Sequence, residues 1–337
     1  MAQTRLRRYG AHFIIHGLEL RSSLSVGPAT IRPARVGTER FRRHAASWPP
    51  EIVERYGELF DVPGTAIVEL DVRTTSTDHK EILERAREGA RDVIAVLRLF
   101  QRSRFVLDLE REVFGLVEEV PSYSDTGWLT HSARLLFVSG RRLGTLGPFE
   151  FGPADLRAFR SDLRFRYLAA ALATPSRNDL QRRVLQGVRL VHAAQEAFRP
   201  GTRVALYATA IEVMLGRKNE VGSHRFLKRV AFIQCVEGMP RHSDVRPACV
   251  YLTAPSGDDV ETLKQQARQY CWAYELPKDV YKARNSALHR GREDFPHLRR
   301  YLNRVDELIL STVDWIKETG ATTLAELDRA IAAVPAA

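Results

Sequence analysis

Along the first 150 residues the hydrophobic pattern changes period several times. His12 to Leu20 and Thr65 to Val72 are short, apolar and β-branched, and they read as strands. Trp128 to Val138, bounded by Gly127 and Gly140, reads the same way. Before it, Ile82, Ala86, Ala90, Val93, Ile94, Val96, Leu97 and Phe100 recur at helical spacing behind Thr77-Asp78, which can cap the helix. Residues 1–152 therefore read as a mixed α and β region.

After Pro153 the strand pattern fades. Asp155 to Ala173 reads as one helix, and Pro175-Ser176 opens another with the stripe Leu180, Val184, Val188, Val191, Ala194 and Phe198, stopped by Arg199-Pro200-Gly201. A third helix spans about Arg203 to Leu215 and a fourth about His224 to Cys235. Residues 237–257, with three Pro and two Gly, read as a loop. Helical spacing returns over Asp258 to Trp272 and Lys278 to Arg290, then in Leu298, Leu302, Val305, Ile309, Val313 and Ile316. Thr323 and Glu326 have capping-box spacing for a short last helix. The fold expected is an α+β N-terminal region followed by an all-α helical bundle over 153–337.

Composition fits that picture. At 337 residues with 44% hydrophobic and 27% charged side chains, the chain can bury cores and is not of the disordered class. Its net charge of +10 favours a polyanionic partner. Nine Arg stand against Glu19 and Glu39 within residues 1–50, which places most of the excess there. Of the 51 basic residues only seven are Lys; that bias fits either the phosphate grip of the guanidinium fork or a GC-rich coding sequence. Cys235, Cys249 and Cys271 lie far apart without CxxC spacing, which predicts neither disulfides nor a zinc cluster. His12 interrupts the apolar residues near the N-terminus, so no signal-peptide core is expected, and no run reaches the ~18 apolar residues of a membrane span. The expectation is a soluble, cytoplasmic protein with no membrane association. GxxxxGK[ST], GxSxG and HExxH are absent, and Gly140, Gly144 and Gly147 do not have dinucleotide-fingerprint spacing. No cofactor and no metal are expected.

One stretch carries chemistry: VYKARNSALHRG, residues 280–291. Arg followed five positions later by His occurs three times, against about 1.3 chance occurrences for this composition. Arg7/His12 crosses Gly10 and Arg292/His297 includes Pro296, so only Arg284/His289 falls within a continuous helical pattern. Asn285 directly after the Arg lowers the chance expectation to roughly 0.02. On an ideal helix Arg284 and His289 point about 140° apart and ~7.5 Å apart along the axis, whereas Asn285 and His289 share a face.

The stretch resembles the Rx4–6H motif of HEPN ribonucleases, and most closely that of Apea-like HEPN proteins of the abortive-infection type, with Tyr, Arg, a polar residue, His and Gly in this order. ALYATAIEVMLG, with Glu212, is similar to an earlier helix of that family, and RFLKRVAFI to its next. The resemblance covers about residues 176–320 and implies a HEPN-type bundle. It implies a homodimer in which two motif helices build one basic cleft, and metal-independent RNA cleavage to a 2′,3′-cyclic phosphate and a 5′-hydroxyl. It gives catalytic roles to Arg284, His289 and Asn285, RNA-binding roles to Lys282, Arg290 and Arg292, and a supporting role to Glu212. It also implies a setting of prokaryotic antiviral defence or a toxin-like growth block, with tRNA or another cellular RNA as substrate and a phage-derived trigger or an antitoxin as regulator. Residues 1–152 are then left for sensing or substrate recognition. An imidazole titrates near neutral pH, as acid–base work requires.

Plainer readings stand beside these. His289 suits a helix C-terminus on dipole grounds, Arg284 can pair with Glu212, and Tyr270, Trp272 and Tyr274 can be core residues or base-stacking ones. A non-catalytic HEPN module that binds nucleotide or protein, or serves dimerisation, is the alternative function.

Overall fold

Strand β1 (Arg7–His16) is buried on both faces from Ala11 to His16, so buried and exposed positions do not alternate there and His12 and His16 are buried with the apolar residues. The computed structural model describes residues 6–57, 64–104, 115–116, 127–131, 134–139, 149–197, 199–217, 226, 229–230, 233, 272–292, 294–295 and 298–333. The chain divides into two compact units, one of residues 1–101 with 105–174, the other of 102–104 with 175–337.

In the first unit, β1 is central in an antiparallel sheet ordered β3 (Leu24–Val26), β4 (Ala29–Pro33), β5 (Thr65–Thr74), β1, β7 (Gly127–His131), β8 (Arg134–Ser139). A short β6 (Gly115–Leu116) also pairs with β1, and β2 (Leu18–Leu20) runs parallel to β9 (Phe149–Phe151). Helices α1 (Ala34–His44) and α3 (His79–Arg104) cover opposite faces, and α2 (Pro50–Gly57) follows α1. On the α3 side Tyr9 meets His79 edge-on at 6.3 Å, and the Arg87 guanidinium lies 5.7 Å from the Phe13 ring centre. On the other side the His12 and His44 rings are 5.6 Å apart.

Two expected strands are each divided in two. The run from His12 to Leu20 breaks at Gly17, whose φ of 75° leaves the extended region. Trp128 to Val138 folds back on itself as the β7–β8 hairpin. The stretch read as one helix over Asp155 to Ala173 is likewise two, α4 (Pro153–Ser161) and α5 (Leu163–Ala173). The break is at Asp162, which leaves helical geometry to cap α5 through the Arg164 N–H. Sequence alone places this stretch with the bundle, but both helices group with the first unit. The reason is aromatic packing: Phe159 and Phe165 lie 5.2 and 5.0 Å from Phe100, beside Phe151 at 5.5 Å.

The second unit contains α6 (Asp179–Glu196), α7 (Pro200–Leu215), α8 (Trp272–Arg290), α9 (Leu298–Thr319) and α10 (Leu324–Ala332). Asn178 and Gln181 cap α6 reciprocally, and Thr323 and Glu326 form the expected box on α10. Helix α7 packs on α6, α8 and α9. Arg102 donates to both carboxylate oxygens of buried Asp306, which burial pushes above the usual carboxylate range against the pull of that Arg. Phe226, Arg229, Val230 and Ile233 are helical, as expected for the fourth helix. The GRRLGTLG glycines, the three cysteines, the proline-bearing stretch of 237–257 and the helix expected before Trp272 lie outside the described residues.

The α1 face of the sheet buries charge. Glu69 accepts from Arg32 Nε and Arg40 Nη1, both at 2.6 Å, and lies 3.7 Å from His12 Nδ1. Burial pushes the His12 imidazole down to about 4, although Glu69 favours its charged form. Between that value and the ordinary ~6.5 the unfolded chain takes up a proton here and the folded chain does not, so stability falls as pH drops through this window. Urea unfolding should therefore show a loss of about 2 kcal/mol between pH 7 and pH 5. His12→Phe should flatten that dependence; an unchanged pH profile in the variant would remove His12 as its source.

Candidate functional site

Helix α8 carries the motif, and its two sides differ. Val280 and Ala283 are buried against the bundle, while Lys282, Asn285 and His289 are exposed. These three exposed residues fall on one face by helical spacing. The helix begins at Trp272, ahead of the expected Lys278 and N-terminal to Pro277. It ends at Gly291, whose φ of 61° suits glycine, and the Arg292 N–H donates back to the Ser286 carbonyl at 3.2 Å.

Arg284 lies on the inward side. Its side chain is 31% exposed, and its Nε is 4.0 Å from Glu212 Oε1 on α7. That distance is an ion pair but not a hydrogen bond, and both atoms are buried without a hydrogen-bond partner. The buried Tyr281 hydroxyl also lacks one. Burial first, and the Glu212 carboxylate second, push that phenol above the ordinary tyrosine range. Phe226 meets the Tyr281 ring edge-on at 5.9 Å and holds it there. Three polar groups on α7 and α8 thus converge; the Tyr281 hydroxyl comes close to the Glu212 carboxylate, but among the described residues no well-aligned hydrogen bond closes the set.

The structure places the residues read from sequence unequally. Asn285 Oδ1 accepts a long 3.5 Å contact from Arg284 Nη1, so these two touch. His289, Lys282 and Arg290 are exposed and have no hydrogen bond or ion pair among the described residues. Arg292 is occupied locally: its Nε donates to the Asp294 carbonyl at 2.9 Å, and its guanidinium lies 5.8 Å from the Phe295 ring centre. Glu212 is where the sequence reading put it, beside the motif Arg. Arg284 and His289 do not converge within one chain. The outer face offers an imidazole, an amide and an ammonium group for acid–base work on a phosphate; the inner side offers a guanidinium beside a carboxylate.

Sequence reasoning missed Tyr281 as a member of the buried set, although its place three residues before Arg284 puts both on one face. Among the described residues no three His, Cys, Asp or Glu side chains gather to hold a metal ion, and no helix is long and apolar enough to cross a membrane. In comparisons with known proteins, no family model, no curated protein and no solved structure matches this chain.

Because the Tyr281 hydroxyl is buried without a hydrogen bond, deleting it removes a desolvation cost. Tyr281→Phe should leave stability unchanged or raise it by up to about 1 kcal/mol in denaturant unfolding. A loss above about 1 kcal/mol would show that the hydroxyl closes a bond to Glu212 after all.

Proposed function

We propose that the chain is a metal-independent endoribonuclease of HEPN type that works as a homodimer through its second, helical unit, in prokaryotic antiviral defence or a toxin-like growth block. The observation that carries the reading is the outer face of α8, where His289 and Asn285 are exposed one turn apart and His289 has no partner among the described residues. A buried structural histidine would be hydrogen-bonded in the bundle. This one stands beside Lys282, open to a phosphodiester and to a second copy of the helix.

In the proposed reaction His289 takes the proton of the ribose 2′-OH, the 2′-oxygen bonds to phosphorus, and the bond from phosphorus to the 5′-oxygen breaks. A protonated imidazole returns the proton to that leaving oxygen. Charge builds on the non-bridging oxygens, and Arg284 of a second copy stabilises it, because the Arg284 of the same chain points about 140° away. Asn285 orients the imidazole or a phosphate oxygen, while Lys282 and Arg290 add positive charge along the RNA. Arg292 is assigned no RNA contact, since its guanidinium is used in the turn after α8. Residues 1–152 select the RNA or sense the trigger.

A second reading has its own support. Arg284 is paired inward with Glu212, as a structural arginine would be, and that favours a non-catalytic module for nucleotide or protein binding or for dimerisation.

Incubating purified protein with RNA in EDTA separates the two. The nuclease reading expects fragments ending in a 2′,3′-cyclic phosphate, and a rate lower by at least about 10²-fold in His289→Ala, the usual scale of a lost general acid–base. Full activity in His289→Ala, or no cleavage by wild-type protein across cellular RNA, would leave the binding module as the better account.

A further inference from the structure

A second charged feature among the described residues of this unit lies outside the motif. Helix α6 and the end of α7 enclose an open cleft of about 610 Å³, lined by Arg177, Arg182, Arg183, Arg189 and Arg217, with Glu212 in its wall. Asp179, Leu185 and Val213 share this lining, so the arginines stand over a partly apolar floor.

The arginines have different duties. Arg183 is used by the fold: its Nε donates to Asp179 at 2.9 Å, and its Nη1 donates to the Val213 and Gly216 carbonyls at 2.9 and 3.0 Å, closing the end of α7. Arg217 pairs with Asp328. Arg182 and Arg189 are exposed on α6, and Arg189 Nη1 reaches Gln186 Oε1 in a long 3.5 Å contact. Arg182 gives only its Nη1 to a described partner, the Arg177 carbonyl at 2.7 Å, out of five guanidinium N–H groups. Arg182 and Arg189 are seven residues apart, so they lie on the same face about 10.5 Å apart along the axis. Each guanidinium fork grips one phosphate. Two forks at that distance are too far apart for adjacent phosphates and suit alternate phosphates along one strand, which a mononucleotide does not offer.

We infer that this cleft binds the phosphate backbone of single-stranded RNA, with Arg182 and Arg189 as its phosphate contacts. The polyanion chemistry stands on these side chains. The choice of RNA rests on the nuclease reading above and deepens it, because Glu212, which lines the cleft, is also the carboxylate beside Arg284 of the motif. The cleft grips without regard to sequence, and the motif helix cuts and adds the charge of Lys282 and Arg290.

Fluorescence anisotropy of the full chain with a labelled single-stranded RNA, measured across a salt series, tests this. Arg182→Ala with Arg189→Ala should lower the slope of log K against log salt by about 1.4, at ~0.7 for each phosphate contact in a single strand. Affinity near 0.1 M salt should fall about tenfold or more. Arg182→Lys with Arg189→Lys should retain most of the slope. Unchanged slope and affinity in the double Ala variant, with its melting transition intact, would overturn the assignment. So would polyglutamate displacing the RNA at equal charge. The two proposals fail separately. Cleft-dependent binding without any cleavage removes the nuclease reading and supports the cleft, while His289-dependent cleavage with unaltered binding in the double Ala variant removes the cleft alone.

Discussion

The helical unit depends on how closely α6 approaches α7. At Gly187 a Cβ would fall 2.5 Å from Met214 Cγ and Sδ, so bare backbone on one helix accepts a side chain from the other. That contact holds α7 inside the bundle, where Val204, Ala208, Ile211, Met214 and Leu215 are fully buried. A helix covered on so many sides has little room for charge. Glu212 is the acid it carries, and its position one residue after Ile211 directs it to the border with α8. The site's odd chemistry, a carboxylate facing a guanidinium and a phenol without hydrogen bonds among them, follows from a packing constraint one helix away.

Arginine does two kinds of work in this chain, and composition cannot separate them. Within the basic first 50 residues, Arg8, Arg21, Arg32, Arg35 and Arg40 all face acids: Asp71, Glu150, Glu69, Glu39 and again Glu69. Much of the excess charge that suggests a polyanion in sequence is thus neutralised within the fold. In the helical unit Arg102 and Arg229 are likewise tied to Asp306 and Asp328. Arg7, Arg42 and Arg43 stay exposed in the basic first stretch, and further exposed cations sit on α6 and α8. A field read from totals overstates the first 50 residues, because ion pairs within the fold offset part of that charge.

The legible and illegible parts divide along a physical line. Helices with a single apolar stripe and a side-chain cap, such as α3, α6 and α10, are readable because spacing and cap are local. The face of α8 is readable for the same reason, since an angle between two residues of one helix needs no knowledge of the rest. What depended on distant partners was not readable. Phe159 and Phe165 look like bundle residues until Phe100 and Phe151 are seen beside them. Tyr281 and Arg284 look like ordinary motif neighbours until Glu212 arrives from α7. The turn within the Trp128 run is also invisible to periodicity, because both arms of the hairpin have strand composition.

The arrangement of α8 constrains any chemistry assigned to it. An exposed imidazole and a half-covered guanidinium that diverge by about 140° on a rigid helix cannot be brought to one phosphorus by side-chain rotation without unwinding the backbone that Val280 and Ala283 anchor. Cleavage assisted by both groups therefore needs a second motif helix, and the exposed side of α8 is where one can approach. Leu288, 56% exposed beside His289, is consistent with that side being covered by another surface. The inward pairing of Arg284 with Glu212 sets the other requirement. On the nuclease reading the guanidinium would exchange a carboxylate for a phosphate, and an ion pair at 4.0 Å, with no hydrogen bond to break, makes that exchange less costly than a closed salt bridge would.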